Sequence, residues 1–226
     1  MSSNLLSLDA TELARAIAAR KVSCREVMTA FLDRIERCNA GVNAIVALRP
    51  REELEAQAAE ADAEMARSGP RGWMHGFPIA VKDLDPVRGL PWTEGSLAHR
   101  DRVAGADSIQ VERMRASGAI IIGKTNTPEF GLGSHTYNRV YGVTRNPYDT
   151  TRSAGGSSGG GAAAVALRML PVADGSDHAG SLRNPTAFNN VFGLRPSYGR
   201  VPALQADVFG STLGVAGPIA RNPRDL

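Results

Sequence analysis

An amphipathic stretch that runs straight into a short aliphatic block constrains this chain most. Ile109, Val111 and Met114 recur at helical spacing, so residues 107–116 read as a helix with those three side chains inward. Gly118 ends it, and Ala119-Ile120-Ile121-Ile122 follows at once. An unbroken apolar run of that length reads as a strand buried on both faces. Helix then buried strand predicts an α/β architecture with a partly parallel sheet. Upstream, Phe77, Ile79 and Val81 alternate and end on Lys82, which gives a second strand. Pro78 confines that strand to an edge, or stands at its start.

The flanking segments are helical. Asp9 with Glu12, and Ser23 with Glu26, have capping-box spacing. Leu13 and Ile17 follow the first box; Val27, Phe31 and Ile35 follow the second. Residues 44–48 form a short strand candidate, and residues 51–67 a helix with Leu54, Ala58, Ala61 and Met65 on one stripe. Residues 123–161 have little periodicity and are rich in Gly, Asn, Thr, Pro and Tyr. So long an irregular segment inside a compact domain builds a site. Residues 162–169 then read as a short apolar helix and residues 170–173 as a buried strand, with irregular chain again to Tyr198. At the end, Asn222-Pro223-Arg224-Asp225 reads as the start of a helix.

Bulk properties exclude several classes. With 26 basic and 23 acidic residues the net charge is +3, and no long basic run occurs, so no nucleic-acid partner is expected. Cys24 and Cys38 are too few for a disulfide framework and read as free thiols. The N-terminus lacks a basic segment and an apolar segment, and no stretch approaches membrane-spanning length. A cytoplasmic protein with no membrane partner is expected. No Cys, His or Asp cluster has metal-ligand spacing, and no dinucleotide fingerprint or P-loop is present, so neither metal nor cofactor is expected.

The chemistry points to two serines on glycine-rich turns and one lysine. Ser157 lies in Gly155-Gly156-Ser157-Ser158-Gly159-Gly160-Gly161, and Ser181 in Gly175-Ser176-Asp177-His178-Ala179-Gly180-Ser181-Leu182-Arg183. Backbone N–H groups on such a turn can converge on an oxyanion. The plainer reading makes Ser181 an N-cap, with Asp177 and Arg183 pairing to brace the loop. A serine nucleophile needs a base. His75, His99, His135 and His178 stand in no Ser-His-Asp context. Lys82 ends an apolar strand, where desolvation favours the neutral amine. Alternatively it pairs at the surface with Asp83 or Asp85. Lys124 follows the other strand and is the rival candidate.

These residues carry a resemblance. Phe77-Pro78-Ile79-Ala80-Val81-Lys82-Asp83, Gly123-Lys124-Thr125-Asn126-Thr127-Pro128-Glu129-Phe130, Gly155-Gly156-Ser157-Ser158-Gly159-Gly160, Gly180-Ser181-Leu182-Arg183 and Val191-Phe192-Gly193-Leu194-Arg195-Pro196-Ser197-Tyr198 occur in that order. Together they closely resemble the amidase signature family over almost the whole chain. The resemblance implies a mixed β-sheet core covered by α-helices. It also implies a Ser–cis-Ser–Lys triad: Ser181 as nucleophile, Ser157 as bridge after a cis peptide, Lys82 as base. Amide hydrolysis through an acyl-enzyme would follow. The oxyanion would rest on the backbone of His178, Ala179 and Gly180, with Asp177 and Arg183 supporting the loop.

Two departures stand out. The family commonly has Thr-Asp-x-Gly-Gly-Ser, and this chain has Ser176-Asp177-His178-Ala179-Gly180-Ser181. Ala179 would strain the loop if its φ were positive. Family members are also longer, so residues 1–226 are expected to be a single domain's N-terminal portion, truncated before the half that completes the sheet. A small-molecule amide is the expected substrate, and a homodimer is compatible with the sequence. Two alternatives follow: a glutaminyl-tRNA amidotransferase A-type subunit, and an inactive or partner-dependent amidase fragment. Asn184 and Asn189-Asn190 favour a stand-alone bacterial amidase over the first.

Overall fold

The computed structural model describes residues 5–202 and 212–226, so residues 1–4 of the N-terminus discussed above lie outside it. Helices α1 (Ala10–Ala18) and α2 (Cys24–Val42) begin where the capping boxes place them. In the first, Glu12 N–H donates to Asp9 at 2.7 Å and Asp9 N–H to Glu12 at 2.9 Å. Both helices bury the predicted apolar positions. Helix α3 (Arg51–Ser68) packs on α2 and buries Leu54, Ala58, Ala61 and Met65, the expected stripe. Cys24 and Cys38 are free thiols.

The predicted parallel pairing is present. Strand β1 (Ile45–Val46) runs antiparallel to β3 (Ile120–Thr125), and β2 (Pro78–Lys82) runs parallel to β3, in the order β1-β3-β2. Pro78 is both first in its strand and on the sheet edge, where its missing N–H costs nothing. Helix α4 (Ile109–Ala116) connects β2 to β3. It buries only Val111, while Ile109 and Met114 are half-covered, so the inward face is narrower than the spacing predicted.

The rest corrects the sequence reading in three places. The irregular segment contains a small hairpin, β4 (Tyr137–Asn138) with β5 (Gly142–Val143), and helix α5 (Gly159–Ala166) starts three residues early, inside the glycine run. Glycine is needed there because the helix lies against backbone: a Cβ on Gly160 would collide with Asn126 N and O. The second correction moves the expected strand at 170–173 to β6 (Ala173–Asp177). Strand β8 (Val215–Ala220) pairs antiparallel with it from Ala173↔Ile219 to Asp177↔Val215, and with β7 (Phe192–Gly193) on its other side. Leu170 and Val172 are buried without joining the ladder. The polar side chains of β6 are hydrogen-bonded: Asp174 to the Lys82 N–H, Ser176 to Lys82 Nζ and Asp177 to the Gly180 N–H.

The third places a helix (Arg183–Phe188) and β7 inside the segment expected to be irregular up to Tyr198. At the chain end, Asn222 accepts the Asp225 N–H at 3.1 Å, as at a helix start. Asp225 receives the N–H groups of Ala10 at 2.8 Å and Thr11 at 3.0 Å. Its carboxylate thereby stabilises the N-terminus of α1. Between the two sheets, β6 packs alongside β2. Helix α6 (Arg183–Phe188) follows the Ser181 turn, and apolar side chains from all these elements form one core. No described helix is long and apolar enough to cross a membrane.

Candidate active site

Lys82 is the last residue of β2 and only 1% exposed. Its Nζ lies 2.8 Å from Ser157 Oγ, 2.9 Å from Ser158 Oγ and 3.0 Å from Ser176 Oγ. An ammonium donates to all three; a neutral amine donates to two and offers its lone pair to the third hydroxyl. Burial pushes the Lys82 amine down from 10.5 to about 7, against the pull of the Asp174, Asp85 and Asp177 carboxylates. The surface pairing with Asp83 or Asp85 does not occur. Those two residues serve Lys124 instead, whose Nζ meets the Asp85 carbonyl and lies 3.6 Å from Asp83 Oδ1. Lys124 is fully buried, and burial pushes its amine down as well, but among the described residues no serine hydroxyl bonds it.

Ser157 is buried and follows a cis peptide bond from Gly156. Gly156 has no room for a side chain, since a Cβ would lie 2.9 Å from His135 N. Ser158 precedes α5 yet does not cap it with its side chain. Its hydroxyl is committed to Lys82, to Ser176 N at 3.2 Å and to the Ser176 carbonyl at 3.3 Å.

Ser181 sits half-buried on the turn between β6 and α6. Its carbonyl accepts the Ser158 N–H at 3.1 Å, which ties the two glycine-rich turns together. Its Oγ makes no hydrogen bond among the described residues, whereas Lys82 and Ser157 are joined directly. Asp177 organises this turn. Its buried carboxylate accepts the N–H groups of Gly180 at 2.8 Å, Leu182 at 3.1 Å and Arg183 at 3.3 Å. The Arg183 guanidinium grips it at 3.0 Å through two nitrogens, and Arg195 Nη1 adds a contact at 3.0 Å. Burial alone would push the Asp177 carboxyl up. The hydrogen bonds from Arg183 and the backbone override that and hold it well below the usual carboxylate range.

The three expected oxyanion donors are not equivalent. The Gly180 N–H points at Asp177, not away from it. The N–H groups of His178, Ala179 and Ser181 donate to nothing among the described residues. The positive φ of the turn falls on Gly180, at 116°, and Ala179 is not in the left-handed region. The Ala179 methyl therefore fits without strain, and His178 is exposed. Ser158, Ser176, Asp174 and Arg195 all contact the site, yet sequence reasoning gave none of them a role. Reading residues 173–177 as a strand would have placed Asp174 and Ser176 on one face. Among the described residues, no cluster of three or more His, Cys, Asp or Glu is arranged to hold a metal.

Known proteins resemble this chain in sequence and in fold. An acylamidase of Rhodococcus erythropolis is 42% identical over 224 residues, covering 98% of this chain and 46% of that protein. The A-type subunit of the glutamyl-tRNA(Gln) amidotransferase of Acidothermus cellulolyticus is 43% identical, covering 99% of this chain and 44% of that protein. The solved structure of a bacterial aryl acylamidase of the amidase signature family superposes with a TM-score of 0.90 at 35% identity, covering 98% of this chain and 46% of its own. The chain thus spans less than half the length of these relatives. The family model described as Amidase matches residues 26–226, and the chain belongs to the amidase family.

Proposed function

We propose that this chain carries the catalytic groups of an amide hydrolase working by acyl transfer to Ser181. The observation that carries the reading is the buried Lys82 Nζ on Ser157 Oγ at 2.8 Å, with the amine pushed down to about 7. A base poised near neutrality is what serine activation requires. Ser181 Oγ attacks the amide carbon and passes its proton to Ser157, whose own proton goes to Lys82 Nζ. The carbonyl oxygen becomes an oxyanion, held by the free N–H groups of His178, Ala179 and Ser181. The proton returns through Ser157 to the amide nitrogen, the C–N bond breaks, and the amine leaves with the acyl group on Ser181. Water then attacks by the same route and releases the acid.

The contact between Ser157 and Ser181 forms when substrate fills the site, as catalytic hydrogen bonds commonly tighten on binding. The substrate is a small-molecule amide, and no nucleic acid takes part. A fluorophosphonate probe is expected to label the wild-type chain and the Ser197→Ala variant but not Ser181→Ala. Labelling that persists in Ser181→Ala refutes the assignment. The 43% identity to an amidotransferase component favours a second reading, ammonia release within a complex. Stable copurification with partner subunits would select it.

A further inference from the structure

Asp174 takes no part in the proposed relay, yet it is 3% exposed and aimed at the lysine's own strand. It lies on β6 two residues before Ser176, so both side chains share one face. From that face Ser176 meets Lys82 Nζ, while Asp174 takes the Lys82 backbone N–H on both oxygens, at 3.0 and 3.3 Å. β2 and β6 share no ladder of backbone bonds. The carboxylate supplies the acceptor that a paired strand would have given. Gln110 Nε2, from the first turn of α4, donates to Asp174 Oδ2 at 3.2 Å and fixes the side chain. A neutral serine or asparagine would accept the same N–H. The carboxylate adds a negative charge beside a group that must bind and release a proton.

We propose that Asp174 is a positioning residue for Lys82: it anchors the lysine's main chain against β6, and its charge favours the proton on Lys82 Nζ. Without it, the desolvated lysine would hold its proton more weakly. The functional meaning rests on the proposed relay; the coupling between the two side chains does not. The charged groups facing Asp174 are Lys82 from β2, Asp85 from the loop after it and Lys124 from β3; Asp177, at the end of β6, also faces Lys82. Burial pushes the Asp174 carboxyl up to about 7, with the Asp85 charge adding and the Lys82 N–H and both lysines opposing. Each group's charge thus favours the charged form of the other.

The test is an NMR titration of the 226-residue chain, labelled at lysine 13Cε and aspartate 13Cγ. Loss of a signal in Lys82→Met and in Asp174→Asn assigns each residue. In Asp174→Asn the acceptor is kept and the charge removed, and the Lys82 midpoint is expected to fall by about one unit. In Lys82→Met the Asp174 midpoint is expected to rise by a similar amount, because the coupling is reciprocal. This second arm decides the matter if Asp174→Asn does not fold. A purely structural carboxylate would change the melting temperature and leave the midpoints in place, and unmoved midpoints in folded protein overturn the proposal. Moved midpoints together with fluorophosphonate labelling that survives in Ser181→Ala would keep the coupling and reject the relay.

Discussion

Replacing Lys82 by methionine is expected to raise the melting temperature at neutral pH. The side chain is 1% exposed, and burial pushes its amine from 10.5 to about 7. At about 1.4 kcal/mol per unit, folding at pH 7 forfeits about 4 kcal/mol that an uncharged side chain keeps. Against that stand the hydroxyls that lose a partner. Ser158 retains its two bonds to the Ser176 backbone, and Ser176 is half-exposed and reaches water. The loss falls mainly on buried Ser157 and amounts to about 1–2 kcal/mol. The net gain is about 2 kcal/mol, or roughly 4–8 °C for a chain of this size. The pH dependence identifies the cause. The folded-state value lies below the unfolded one, so between about pH 7 and 10 the unfolded chain binds the extra proton and wild-type stability rises with pH. Methionine has no such slope. Calorimetric melts across that window should show the two proteins furthest apart at pH 7 and converging toward pH 10. A lower melting temperature for Lys82→Met, or a gap that ignores pH, refutes the reasoning.

Asp177→Asn acts in the opposite direction. It removes the charge that Arg183 and Arg195 grip in a buried site, and is expected to cost about 3 kcal/mol, or roughly 10 °C in melting temperature. Because the Asp177 carboxyl is held low, its contribution is complete above about pH 4 and fades as pH falls further. Acid titration of stability should therefore show a shallower loss in the variant than in the wild type. Gly160→Ala adds one methyl against the backbone of Asn126 and Ala44, which cannot step aside, and is expected to cost about 3 kcal/mol in urea unfolding. The exposed surface at Gly41, where a Cβ meets nothing within 4 Å, provides the control.

The helices and the parallel strand pair were legible because their signals are local. Capping boxes, a 3.6-residue stripe and an alternating run each specify one element, and the structure differs from them only in how much of α4 is covered. Residues 173–177 were not legible, because Asp174, Ser176 and Asp177 have poor strand propensity. Pairing with β8, some forty residues downstream, overrides that preference, and no local window contains it. The glycines at 159–161 misled for a related reason. Glycine disfavours a helix interior, yet here the helix must approach Asn126 so closely that only glycine fits. Lys82, Ser157 and Ser181 could be proposed from sequence because chemistry restricts which residue types can serve. The direction of the Gly180 N–H could not, since the acceptor that claims it is set by the turn's own geometry.

Much of this fold's polar burial converges on one end of β2. Lys82, Asp83, Lys124, Ser157, Asp174 and Asp177 are all under 4% exposed. Isolated, each would destabilise the chain. Arranged as found, Asp83 pairs with Lys124, Asp177 with two arginines and three backbone N–H groups, and Asp174 with the main chain of Lys82. Only Lys82 Nζ is left without a carboxylate in direct contact; its partners are hydroxyls alone. That asymmetry supports Lys82 as the proton acceptor of the proposed relay. Lys124 is faced by a carboxylate and a carbonyl, whereas Lys82 Nζ is ringed by serine hydroxyls, and burial pushes both amines down. The distinction lies in which neighbours the strands bring: of the two buried lysines, Lys82 meets the Ser157 hydroxyl that the proposed relay uses.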